Sequence, residues 1–262
     1  MEFLVLLGKT LVLRSYVFLF LAMALAVARP LMGGSRTVAF FFITWLVAFA
    51  CEFSSTRTGI PFGWYFYTGS TRGQELYLSN VPFMDSLSFT FLLFASYCLS
   101  LLFVSPIRRQ GSAVCLPYSP RLRMSWPVAT LSVLFFVLID IIIDPVALQG
   151  DRWFLGKIYY YPEPGIHFGV PIVNYLGWGV VGLIAFSLFR LIDRRLREPS
   201  SDANKAGPVM LGSALYYAVV TFNLAITFWI GEPLMGLSGV LIYLPVTAFL
   251  LIKLAGGLPL QP

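Results

Sequence analysis

Four acidic side chains stand in or beside long apolar runs of the chain, where charge is costly: Glu52, Asp85, Asp140 and Asp144. Burying one carboxylate at the centre of a membrane helix costs roughly 2.5–3.5 kcal/mol even on a lenient insertion scale, so such residues point to function before structure. Asp140 and Asp144 are four positions apart and share one helical face. Two carboxyls that close and partly out of water should not both be ionised at neutral pH, which suits a site where one group gives a proton and another takes one. Each has a plainer alternative. Asp85 could bond the first turn of its own helix, Asn174 could bridge two helices, and Asp144 could simply end a helix before Pro145.

The elements that must position these acids follow from composition. Of 262 residues, 58% are hydrophobic and 11% charged, with a mean hydropathy of +0.81, too little polar surface to coat a soluble globule. At about 20 apolar residues per bilayer crossing, the sequence predicts seven helices near 11–29, 38–54, 83–104, 126–144, 171–192, 208–230 and 237–255. The expected architecture is an all-α polytopic bundle forming one integral membrane domain over 1–262. The net charge of +6 sits in short clusters between apolar runs, a topology signal that does not call for a nucleic-acid partner. Twelve Lys and Arg, among them Arg29, Arg36, Arg108, Arg109, Arg121, Arg123 and Arg194, Arg195 and Arg197, fall on one side and six on the other. The positive-inside rule then sets the N-terminus outside and the C-terminus in the cytoplasm, in a multi-pass protein of the cell's cytoplasmic (inner) membrane. A rival reading takes Lys9, Arg14 and Ala26-Val27-Ala28 as a cleaved secretory signal. Cleavage would turn the twelve basic residues outward, so an uncleaved first helix is expected.

Two long links, about 55–82 and 145–170, are rich in Gly, Pro and aromatics and read as interfacial, with Trp64, Tyr65, Tyr67, Tyr77, Trp153, Tyr159, Tyr160 and Tyr161 as belt residues at headgroup depth. They also read as two copies of one unit. Glu52 to Pro82 is 30 positions and Asp140 to Pro171 is 31. Proline suits the first turn of a helix, and three residues after each proline stands a polar side chain, Asp85 or Asn174. Helices two and four run the same way, so these are parallel repeats about an axis along the membrane normal, and their acids fall at similar depth. By the same topology Glu232, and Asn223 some turns deeper, join that side. The single histidine, His167, lies in a Gly-Pro loop as an interfacial hydrogen-bonding residue. Neither it nor the widely spaced Cys51, Cys98 and Cys115 suggests a metal or redox cofactor.

Certain stretches carry a closer likeness: Gly59-Ile60-Pro61-Phe62-Gly63-Trp64-Tyr65 with Asn80-Val81-Pro82, Asp140 through Asp144-Pro145, Trp153, and Phe168-Gly169-Val170-Pro171-Ile172-Val173-Asn174-Tyr175-Leu176-Gly177-Trp178. They resemble the carotenoid-biosynthesis membrane proteins, a family that includes CruF-type carotenoid 1′,2′-hydratases and bisanhydrobacterioruberin hydratases. The resemblance is strongest over about 38–192. It implies acid-catalysed addition of water to the terminal double bond of an acyclic C40 or C50 isoprenoid, without a cofactor, in a membrane enzyme that meets carotenoid, lipid and other enzymes of its pathway. On that reading Asp140 or Asp144 is the proton donor, and Glu52 and Asp85 serve as base and water-positioning partners. Asn80 and Asn174 hold the water or orient a carboxylate, while Trp64, Tyr65, Trp153 and Trp178 line the end-group pocket. Two alternatives stay open: an isoprenoid cyclase, whose cation is captured by a neighbouring alkene, and a transporter or lipid-binding protein whose acids bind protons or cations.

Overall fold

The computed structural model describes residues 2–110, 113–196, 204–256 and 258–259. Its helices are α1 (Glu2–Leu13), α2 (Ser15–Met32), α3 (Gly34–Thr58), α4 (Phe83–Val104), α5 (Pro120–Arg123), α6 (Trp126–Leu148), α7 (Ile172–Asp193), α8 (Ala206–Trp229) and α9 (Pro233–Ala255). Among them α2, α3, α4, α6, α7, α8 and α9 are long and apolar enough to cross a membrane. That is the all-α polytopic bundle the sequence predicts.

Burial sorts these helices into inner and outer ones. In its most apolar stretch α4 is 78% buried, against 28% for α2 and α9, so α4 is the central post. Helix α3 packs on α4, α4 on α6, α6 on α7, and α7 returns to α3, closing a ring of four. Exchanging α3 with α6 and α4 with α7 maps this ring onto itself, as a two-fold axis along the bundle requires. Helices α2 and α8 cover the α4 side, and α9 lies against α8. Because lipid tails offer no hydrophobic drive between helices, close contact and polar glue matter here. Ser100 on α4 and Ser132 on α6 meet through their hydroxyls at 2.7 Å. On α7, a Cβ at Gly177 would fall 2.4 Å from the Phe62 ring and 2.9 Å from its Cα, so only glycine lets the first link lie down on that helix.

The two links are not independent interfacial loops. Phe66–Tyr67 of the first pairs antiparallel with Tyr159–Tyr160 of the second, Phe66 opposite Tyr160. This is how two equivalent strands meet across a two-fold axis. The pair forms a small lid over one end of the four-helix ring.

Three expectations need correction. The first apolar run is not one helix, since it breaks at Arg14, whose guanidinium is fully buried and ion-paired. Its Nε and Nη2 donate to the two carboxylate oxygens of Glu75 at 3.1 and 2.7 Å, and Nη1 donates to the Leu155 carbonyl at 2.7 Å. Arg14 thus ties the start of α2 to both links, where the sequence suggested a loop charge or a signal-peptide cation. Helix α6, in turn, continues through Pro145 to Leu148, one turn beyond the stop expected at Asp144. The indole N–H of Trp153 folds back onto the Val146 carbonyl at 3.0 Å and closes the helix end. On the opposite face, Arg36 and Arg123 are buried with Asp193, so two residues expected as loop charges bind α3, α5 and α7 together.

The Arg14–Glu75 pair makes a testable stability contribution. Arg14→Met leaves a buried carboxylate alone and should cost about 3–5 kcal/mol. The expected readout is a large drop in melting temperature in detergent, mostly recovered in the double variant Arg14→Met/Glu75→Leu, where neither charge remains.

Candidate functional site

The lid and the helix ends beneath it gather all four predicted acids at one end of the ring. Three are buried, at 3% exposure for Glu52, 0% for Asp140 and 7% for Asp144, and Asp85 is half-buried at the lip of a cavity. Among the described residues none of the four forms an ion pair with Lys or Arg. Their partners are neutral donors.

In the first half, Tyr67 stands between two carboxyls, its hydroxyl 3.0 Å from Glu52 Oε1 and 2.7 Å from Asp85 Oδ2. Tyr65 approaches the same hydroxyl at 3.4 Å. Among the described residues Glu52 Oε2 is buried with no hydrogen-bond partner. In the second half, Asn174 Nδ2 donates to Asp140 Oδ2 and Asp144 Oδ2, both at 2.8 Å. Tyr159 and Tyr161 donate to the two oxygens of Asp144 at 2.5 and 2.6 Å. Among the described residues Asp144 therefore accepts from three donors, whereas Asp140 accepts from one and its Oδ1 is buried without a partner. Burial and the adjacent carboxylates push the hydroxyls of Tyr67, Tyr159 and Tyr161 well above the usual phenol range, so each stays a neutral donor.

Two cavities share this centre. The larger, about 730 Å³ of space not occupied by atoms, runs between α2, α4, α6 and α8 and is walled mostly by apolar side chains such as Phe20, Phe91, Leu92 and Phe222. The smaller, about 340 Å³, lies under the lid among Glu52, Tyr65, Tyr67, Tyr161 and Asn174. Asp85, Phe89, Asp144, Tyr159 and Trp178 line both. An apolar chamber and a polar one thus adjoin at two carboxyls. The Trp178 ring lies stacked on Phe89 with centroids 4.2 Å apart and 4.6 Å from Phe136, which puts aromatic faces at the junction.

Of the other predicted residues, Tyr65 lines the small cavity, Trp153 the large one, Trp178 both, and Asn174 the small one. Trp64 departs from expectation. Its ring is 50% exposed and stacks on Phe66, because the turn through Gly59 and Gly63 throws it outward. Asn80 also stands apart, its amide donating to Thr56 Oγ1 at 3.0 Å. Glu232 pairs with Arg152 at the rim and does not join the acids, while Asn223 lines the large cavity. His167 holds the Tyr175 hydroxyl at 2.6 Å in the loop, as a hydrogen-bonding residue.

Tyr67, Tyr159 and Tyr161 are the residues that sequence reasoning undervalued, having read them as belt residues. Of the belt residues, Tyr160, 42% exposed, and Trp64, 50% exposed, fit that description. A usable signal was present. Tyr65-Phe66-Tyr67 and Tyr159-Tyr160-Tyr161 each place two tyrosines at a period of two, the spacing that sends side chains to one face of a strand.

A family model described as carotenoid biosynthesis protein matches residues 11–245. The chain belongs to this carotenoid biosynthesis protein family. The match runs beyond the 38–192 core and takes in most of the helices that wall the large cavity. Among curated proteins, the chain is similar to a bisanhydrobacterioruberin hydratase of Haloarcula japonica, 30% identical over 214 residues, which cover 80% of this chain and 64% of that protein. The chain therefore spans less than two thirds of that relative's length. No solved structure matches.

Proposed function

We propose that this member of the carotenoid biosynthesis family is a hydratase that adds water to the terminal trisubstituted double bond of an acyclic carotenoid, giving a tertiary alcohol. The observation that carries the reading is the meeting of an apolar chamber with a polar one at Asp85 and Asp144. Hydration of an alkene needs that juncture, since the hydrocarbon must come from lipid and the water from the polar side.

In this reading the end group enters the large cavity, and Asp85 delivers a proton to the less substituted alkene carbon. The π electrons form the new C–H bond and leave a tertiary cation beside the faces of Phe89 and Trp178, which attract positive charge. Water from the small cavity bonds to the cation, and its surplus proton passes to Asp144. This division of labour reverses the one drawn from the resemblance, and hydrogen bonding supports the reversal. Three donors stabilise Asp144 as an anion and suit it to the base and to the cation's counter-charge. Asp140, which lines neither cavity, orients Asn174 and through it Asp144. The excess of basic residues at the far end of the bundle supports a site at the non-cytoplasmic face, with the N-terminus outside.

Expression in a host that accumulates an acyclic carotenoid tests the proposal. Pigment heavier by one water per reacted end is expected. A product of unchanged mass with a new ring would replace hydration by cyclisation, and unaltered pigment together with proton-coupled uptake in liposomes would replace enzyme by transporter.

A further inference from the structure

The two halves of the site differ at an equivalent position near their helix starts, and the difference alters the proton count. Three residues after the helix-opening proline stands Asn174 in the second half and Asp85 in the first. The amide of Asn174 has two N–H groups and serves two carboxyls. In the first half the bridge is the Tyr67 hydroxyl, which has one proton but lies within hydrogen-bond distance of both Glu52 and Asp85. A phenol can donate to only one of them. The shorter contact, 2.7 Å, is to Asp85 Oδ2, so the 3.0 Å contact to Glu52 Oε1 holds only if that carboxyl carries a proton and donates it to the tyrosine oxygen. Tyr65, at 3.4 Å, adds no proton able to satisfy Glu52. The buried, unpartnered Oε2 of Glu52 fits a neutral acid, since a full charge there would lack both counter-ion and donor.

Building on the hydratase reading, we infer that Glu52 and Tyr67 form a proton relay that loads Asp85 before each turnover. The Glu52 O–H proton moves to the Tyr67 oxygen as the Tyr67 proton moves to Asp85 Oδ2. Glu52 becomes a carboxylate, Tyr67 is unchanged, and Asp85 becomes the acid that protonates the alkene. After water adds, Asp144 holds the surplus proton, and its return to Glu52 through water in the small cavity, which Glu52, Asp85 and Asp144 all line, restores the starting state. Alkene plus water gives alcohol with no net change in the protein. Tyr67 is a positioning residue here, because it acts through Asp85.

Glu52→Gln and Tyr67→Phe test the relay in the full-length protein, purified in detergent and supplied with the acyclic carotenoid. Gln at 52 can still donate an N–H to Tyr67, so the local structure survives, but it cannot pass a proton on. Both variants are expected to form the same alcohol at least ten-fold more slowly, with melting temperatures close to wild type for Glu52→Gln. The dependence of rate on D2O fraction should change from curved in the wild type, where several protons move together, to linear in Glu52→Gln. A purely structural tyrosine would not move that curvature. If the wild type makes alcohol and Glu52→Gln keeps its rate and curvature, the relay is wrong while the hydratase reading stands. If the wild type makes no alcohol, the underlying function fails instead.

Discussion

Asp85→Asn should lower the rate of alcohol formation by about 10²–10⁴-fold, the usual contribution of a positioned general acid, while the protein still folds. The amide keeps an oxygen to accept from Tyr67, which now lies 2.7 Å from Asp85 Oδ2, so the lid retains its hydrogen bond. What it loses is the proton for the alkene. Rate is best followed by separating hydrated from unhydrated carotenoid, with folding checked by thermal melting in detergent. Running the reaction in D2O sharpens the test. Without a proton donor no deuterium should enter the end-group carbon, so substrate recovered from Asp85→Asn should be unlabelled. Labelling at the wild-type rate would remove Asp85 from the protonation step.

The second large effect is expected at Asp144, with a different signature. Its two oxygens accept from Tyr159, Tyr161 and Asn174. Asn at 144 has one carbonyl oxygen for three donors and turns its own N–H groups toward the rest, leaving a buried donor unsatisfied at about 1–3 kcal/mol. Both stability and activity should fall, activity by at least 10³-fold because the base and the cation's counter-charge are lost together. Tyr159→Phe and Tyr161→Phe separate these causes. Each removes one hydrogen bond and leaves the carboxylate, so each should retain measurable alcohol formation with a smaller rate loss. In D2O, Asp144→Asn should still place some deuterium in recovered alkene without forming alcohol, since protonation survives and water capture does not. Alcohol at the wild-type rate from Asp144→Asn would sink the assignment of the base.

How far the sequence reached can be judged residue by residue. Helix α4 was legible to its last residue because its apolar run is bounded by Pro82 and by the polar link after Val104. The repeat was legible through Glu52, Asp140, Pro82 and Pro171, since proline at a helix start is a local steric fact. Arg14 was not legible as a buried residue. Its partner Glu75 lies 61 positions away in a link with no periodic pattern, and a local reading of a cation beside an apolar run suggests membrane topology or a signal peptide. Pro145 misled for a related reason. Proline disfavours a helix locally, yet a membrane helix can run through it when tertiary contacts satisfy the freed backbone groups.

By itself the sequence determined that the chain is a seven-span helical bundle, that it carries a doubled motif, and that its acids collect at one end. Those properties follow from hydropathy and short-range sterics, which act within a few residues. Only the tertiary structure decided which carboxyls share a donor, that Tyr67, Tyr159 and Tyr161 turn inward while Tyr160 and Trp64 turn out, and that an apolar and a polar cavity adjoin at Asp85 and Asp144. Those outcomes depend on the antiparallel pairing of two strands more than ninety residues apart in sequence, Phe66 opposite Tyr160. A one-residue slip in that register would send every tyrosine to the other face.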